Sequence, residues 1–155
     1  MSEFPSLEVA SFIAKTCDEM GFHWNNTKIQ KLLYCCYGCS LAANGDRLCD
    51  EYPRAWQFGP VFPRVFNHIH KKKGFPQDNP LNNASEELKS FLREVINVFG
   101  RYKAVPLSNW THKKGSPWDT VVNSMGEGLG GFIPDDIIRK YFAENIVEKI
   151  SNGAP

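Results

Sequence analysis

The chain has no run of apolar residues near the ~18 to 20 needed to span a bilayer, and Met1-Ser2-Glu3-Phe4-Pro5 lacks the basic start and apolar stretch of a secretory leader. A cytoplasmic protein with no membrane partner is expected. It also lacks an excess of either charge: 18 Lys and Arg against 17 Asp and Glu give a net charge of +1 at pH 7. The positive field that drives non-specific nucleic-acid binding is therefore missing, which makes nucleic acid an unlikely partner. Nor does the chain have a cysteine pattern suited to a disulfide framework. Its five cysteines are an odd number, and Cys35, Cys36 and Cys39 crowd into one candidate helix instead of being spaced across loops. A reducing compartment fits better.

What is present is a 155-residue chain, 42% hydrophobic, long enough to bury roughly two-thirds of its unfolded surface. One domain covering residues 1–155 is expected, with a core over about 7–150 and a tail at 151–155 that frays. Leu7, Val9, Ala10, Phe12, Ile13, Cys17 and Met20 recur at helical spacing between Ser6, a good N-cap, and Gly21, a good C-terminal cap. Thr27 and Gln30 form a capping-box pattern, after which Ile29, Leu32, Leu33, Cys36, Ser40 and Ala43 trace one face as far as Asn44-Gly45. Between Gly45 and Gly59 the period changes. Arg54 to Phe58 alternate and Pro53 breaks a helix, so a short β-hairpin or extended arm is expected, with Arg47-Leu48-Cys49 as a candidate partner strand.

Pro60 and Pro63 bracket the start of a helix carrying Val65, Phe66 and Ile69 and ending in Lys71-Lys72-Lys73-Gly74; Phe75 to Asn83 reads as a surface loop. Ser85 caps a helix with Leu88, Phe91, Leu92, Val95, Phe99 and Tyr102 as its stripe. Ser108 to His112 and Ser116-Pro117-Trp118 suggest two short helices, and Pro134-Asp135-Asp136 opens a last one with Ile137, Ile138, Tyr141, Phe142, Ile146 and Ile150 inward. The fold class is mainly α: a single-domain helical bundle with one short β-hairpin or extended arm.

The candidate chemistry is thin. Cys35 and Cys36 project in different directions on a helix, and no second Cys/His pair stands at a zinc-ligand spacing, so the thiols read as core and neither a metal nor a cofactor is expected. His68 and His70, two apart, fall on nearly opposite sides of a helix. With Arg64 and Lys71 to Lys73 they could form a basic face for phosphate or an acidic partner, which keeps a nucleic-acid or regulatory module open as an alternative. Gly126 to Gly131 lacks the Gly-Lys-Ser/Thr ending of a phosphate loop and reads as a flexible connector. Ser108 and His112 lie one turn apart, but no orienting acid or oxyanion hole is legible, so no catalytic residue is assigned. Thr111 and His112 read instead as a buried hydrogen-bonded corner. Trp56 and Phe58 share a face of the alternating segment, Trp56 favouring packing. Lys31 could snorkel or reach Asp46 or Asp50.

Three segments carry a resemblance. Thr27 to Tyr34 includes Lys31-Leu32-Leu33-Tyr34; Ala55-Trp56-Gln57-Phe58-Gly59-Pro60-Val61 follows; then come Leu107-Ser108-Asn109-Trp110-Thr111-His112 and Pro117-Trp118. In order and spacing they resemble the Panacea domain family of SocA-like and phage-associated GepA-like proteins, over about residues 7 to 142. The resemblance implies an antitoxin without enzymatic activity, commonly encoded beside a small toxin that it neutralises by direct contact. Delivery of the partner to a protease is a further alternative. Lys31, Leu32, Tyr34, Gly59, Pro60, Thr111, His112, Pro117 and Trp118 then read as architectural. Arg54, Trp56, Phe58 and Arg64 read as candidate contacts to a cognate toxin, whose identity and stoichiometry the sequence does not give.

Overall fold

In a computed structural model, which describes residues 3–72, 74–75 and 79–147, the chain is mainly α with one short antiparallel hairpin. Lys73, Ile150 and the 151–155 tail lie outside the described residues, as does part of the Phe75–Asn83 loop.

The central element is α2 (Asn26–Asn44), buried at every position from Lys28 to Leu41. The sequence pattern marked one buried face on this helix, but it is covered on its whole circumference, and only Ala43, from the expected stripe, is exposed. Packed around it are α1 (Ser6–Met20), α3 (Pro63–Lys72), α4 (Glu86–Phe99), α5 (Ala104–Thr111) and α7 (Asp135–Phe142), together with strand β2 (Gly59–Val61). Small residues make this possible. Cys35, Cys36 and Cys39 are wholly buried on different sides of α2, and a thiol fills little volume where a neighbouring helix comes close. At Gly38 the ring of Phe142 from α7 occupies the place a Cβ would take, with Cζ 2.6 Å from that position.

Helix ends follow local polar chemistry, with three departures from expectation. Asn25, not Thr27, caps α2 by accepting from the Lys28 N–H at 2.9 Å, because the helix already begins at Asn26 and Thr27 lies inside its first turn. Helix α1 begins at Ser6 itself, and its Ser6 N–H donates to Asp50 Oδ1 at 2.9 Å, a cap supplied from a distant loop. Ser108 lies inside α5, which starts after Lys103. Ser85 does cap α4, and Ser116 caps α6 (Pro117–Asp119), which widens into a looser turn over Thr120–Ser124. Tyr102 lies beyond α4 and is exposed.

Strand β1 (Arg54–Trp56) pairs with β2 across the two-residue turn Gln57–Phe58, so Phe58 sits in the turn and not on a strand face with Trp56. The expected partner, Arg47-Leu48-Cys49, is not paired with β1; Cys49 instead bridges Phe4. The reason is Gly59, whose φ of 117° lets the chain reverse at once. On the other edge of β1, Ala55 donates to the Gly131 carbonyl and accepts from the Gly130 N–H. The glycine-rich segment is thus a bulged third edge to the hairpin and not a loose connector.

Gly38→Ala tests the packing of α2. Alanine in a helix interior normally gains about 1 kcal/mol over glycine, but here the added methyl overlaps Phe142, and a loss of about 1–3 kcal/mol is expected from overpacking. Urea denaturation of the two proteins reads the sign directly.

Candidate partner-binding surface

Four side chains hold the hairpin from behind, answering alternate residues from Trp56 through the turn to Phe62. Trp118 Nε1 donates to the Trp56 carbonyl at 2.7 Å, and Ser108 Oγ donates to the Phe58 carbonyl at 2.7 Å. Lys31 Nζ donates to the Pro60 carbonyl at 2.9 Å, and the Phe62 N–H donates to Gln30 Oε1 at 2.7 Å. Lys31 therefore reaches a backbone carbonyl rather than Asp46 or Asp50. Gly59 is enclosed by this set: a Cβ there would lie 2.6 Å from Thr111 Oγ1 and 3.2 Å from Lys31 Nζ. Glycine is required both for its backbone angle and for this close approach.

Thr111 and His112 form the expected corner, Thr111 buried and His112 half-buried. Thr111 Oγ1 and His112 Nδ1 both lie 2.7 Å from the Ser108 carbonyl. A carbonyl only accepts, so Nδ1 carries the proton. The His112 ring meets Trp118 edge-on at 5.3 Å. Ser108 Oγ gives its proton to a carbonyl and His112 bonds the Ser108 backbone, so the two are not arranged as nucleophile and base.

Burial sets the electrostatics of the interior. Lys31 is almost fully buried, and desolvation lowers its pKa to about 8. Lys28 is lowered for the same reason; it donates at 2.6 Å to the Gly100 carbonyl just past α4, where a helix dipole favours a cation. All five thiols are buried and pushed up by desolvation, Cys17 to about 11 and Cys39 and Cys49 to about 12. They stay protonated at neutral pH, which suits packing and not nucleophilic attack. Among the described residues no group of three or more His, Cys, Asp or Glu could hold a metal. His68 bonds the Gly74 carbonyl and stacks on Phe75, while His70 stacks on Phe66. The Tyr34 hydroxyl is buried with no hydrogen-bond partner among the described residues, its ring edge-on to Phe142 at 5.3 Å.

The outer face of the hairpin differs. Of the seven large apolar residues exposed among the described residues, Tyr52 and Phe58 lie beside or in the hairpin, and Leu129 and Phe132 flank the Gly130–Gly131 segment that edges it. Phe58 is 66% exposed at the turn. The Tyr52 and Phe132 rings meet at 5.6 Å, Arg47 lies over Tyr52 at 4.3 Å, and Arg54 lies over Phe132 at 4.1 Å. Of the candidate contacts, Arg54 belongs to this cluster and Phe58 stands exposed at the turn. Trp56 packs on Phe66 at 5.2 Å, and Arg64 is tied to Asp50 at 2.7 Å. Tyr52, Phe132 and Arg47 were not singled out from the sequence. Phe132 follows Gly130-Gly131, which read as a connector, so no periodic signal marked it.

Comparison with known proteins gives three findings. The family model described as antitoxin SocA-like, Panacea domain, matches residues 29–119, a span that includes every side chain of the hairpin clamp. The Antitoxin SocA of Caulobacter vibrioides (strain NA1000 / CB15N) is 27% identical over 169 residues, covering 95% of this chain and 85% of that protein. No solved structure matches it.

Two outcomes follow from the buried polar groups. Because the folded pKa of Lys31 lies below its ordinary 10.5, the unfolded chain binds the extra proton between about pH 8 and 10.5, and this group's contribution to stability rises with pH in that window. The thiols act oppositely above pH 9. Against Lys31→Met, which keeps the thiols but loses the ammonium, the wild type should therefore gain relative stability from pH 7.5 to 10 in parallel denaturation series. Tyr34→Phe removes an unpaired buried hydroxyl and should raise stability by about 1 kcal/mol, seen as a higher melting temperature.

Proposed function

The chain belongs to the SocA-like Panacea-domain family, and on that premise we propose that it is an antitoxin that neutralises a small protein toxin by direct contact. The observation carrying this reading is the division of the hairpin into two sides. The family-pattern side chains Lys31, Ser108 and Trp118 are engaged with backbone groups, and Thr111 and His112 are tied to Ser108, leaving no free nucleophile–base pair. The opposite face offers Arg, Tyr and Phe, the residue types most enriched at interface anchors. A scaffold of this kind holds an interaction surface in one shape, so less conformational entropy is lost on binding.

The mechanism is occlusion through affinity. The complex would bury on the order of 1,200 to 2,000 Å² in total, with a few anchors contributing most of the binding free energy. The protein acts in the cytoplasm, where its buried thiols remain reduced; no helix among the described residues is long and apolar enough to cross a membrane.

The test expresses the product of the adjacent gene alone and together with this chain. Growth arrest in the first case and growth in the second are expected, and arrest in both contradicts the reading. His112→Ala should still neutralise, with at most a few-fold loss from a weakened corner. Abolished neutralisation in a His112→Ala protein that remains folded would point to a chemical role for that ring. Neutralisation that persists in cells lacking their cytoplasmic proteases supports occlusion, whereas its loss there points to delivery to a protease.

A further inference from the structure

We propose that the toxin docks on the outer edge formed by Phe132, adding an extended segment to the hairpin and placing an Asp or Glu side chain on Arg54. The inference rests on the antitoxin reading and assigns the surface and the chemistry of the partner segment.

Three observations carry it. The first is an open backbone edge. Arg54 and Phe132 oppose each other as an antiparallel bridge, flanked by the bonds from Ala55 N–H to the Gly131 carbonyl and from Ile133 N–H to the Pro53 carbonyl. In that pattern the bridged pair exchanges no hydrogen bonds with each other, so the N–H and C=O of Phe132 point away from β1. Neither has a hydrogen-bond partner among the described residues. An unpaired edge of this kind is a template for another strand, and peptide partners use it in strand addition.

The second is charge. Three arginines stand near the hairpin, and two are already matched: Arg47 with Glu3 at 2.5 Å and Arg64 with Asp50 at 2.7 Å. Arg54 has one bond, from Nη1 to the Gly130 carbonyl at 2.9 Å, and no carboxylate partner among the described residues. Its guanidinium lies over the Phe132 ring, Cζ 4.1 Å from the centroid, and the remaining donors of its fork have no partner among the described residues. The group that matches an oriented fork is a carboxylate.

The third is exposed apolar area at and beside that edge. Phe132 is 52% exposed and Leu129 56% exposed, with Tyr52 against Phe132. Side chains of an added strand alternate between its two faces, so those on the Phe132 side would lie over this floor, and an acidic residue among them would reach Arg54.

The experiment uses the full chain and the growth-inhibiting product of the adjacent gene. Arg54→Glu should weaken binding by about thirtyfold or more, the range for losing one partner of a desolvated charge pair, and Phe132→Ala should weaken it at least tenfold. Lys140→Glu, the same charge change on the exposed side of α7, should leave affinity within about twofold. Wild-type affinity in both Arg54→Glu and Phe132→Ala overturns the inference while leaving the antitoxin reading intact; failure of the wild-type chain to bind overturns both. Because Arg54→Glu could disturb the hairpin itself, a photo-crosslinking residue is also placed at position 132 and, as a control, at Tyr102. Cross-linking from 132 alone, mapped to an extended toxin segment containing Asp or Glu, is expected. A cross-link to nucleic acid, to a segment without an acidic residue, or only from 102 contradicts the proposal.

Discussion

The enclosure of α2 on every side governs the rest of the molecule. A helix buried all round must be apolar all round or must place its polar groups on neighbours, because an unpaired buried donor or cation costs more than its hydrogen bond returns. This helix carries Lys28, Gln30 and Lys31 in its first turns, and no carboxylate among the described residues pairs with either lysine. Their long-range partners are backbone groups, the carbonyl past the end of α4, the Pro60 carbonyl and the Phe62 N–H, while Gln30 Nε2 also donates to Asn26 Oδ1 at 3.1 Å. One bond ties the end of α4 and two tie the second strand of the hairpin to one rigid axis.

From this constraint follows the shape of the hairpin. A two-stranded ribbon of three residues a side is not stable alone in water. Here it survives because its carbonyls at 56, 58 and 60 and its amide at 62 are answered by Trp118, Ser108, Lys31 and Gln30, and because Gly59 admits Thr111 and the lysine head at close range. The ribbon becomes a fixed platform with a polar, buried inner side and an aromatic, exposed outer side. Positions that hold the platform are internal and constrained in chemistry, whereas the outer positions can change without disturbing the core. A family scaffold with partner-specific contacts can be built on such a separation.

Much of the architecture was legible in the sequence. The periodic stripes of α1 and α4, the Gly21 and Ser85 caps and the proline start of α6 reflect local rules that tertiary context did not override. The reading of α2 as one-faced failed because burial on all sides leaves no polar stripe, and because Cys, Gly and Ser look weakly apolar although here they are interior spacers. The capping role of Thr27 failed because Asn25 starts the helix two residues earlier, and Gln30, the other half of the pattern, accepts instead from Phe62, thirty-two residues away, a bond no window of local spacing contains. Arg54 and Phe58 stood out as candidate contacts, although the alternation that put Phe58 on a face with Trp56 ends at the turn, whereas Tyr52 and Phe132 become neighbours only when Gly130 and Gly131 close on Ala55. Lys31 was recognisable as important, but its partner was not, since a lysine in a sequence suggests a carboxylate before a carbonyl.

The measurement that reaches this account most directly is native-state amide hydrogen exchange of the free chain at Phe62. If the buried amide of Gln30 holds the ribbon to the central helix, that N–H exchanges as slowly as the core amides of α2, and replacing Gln30 with Leu accelerates it by orders of magnitude while those core amides change far less. Exchange at Phe62 as fast as at the exposed Asn82 in the unmodified protein would mean that the ribbon is not anchored, and the platform described above would not exist in solution.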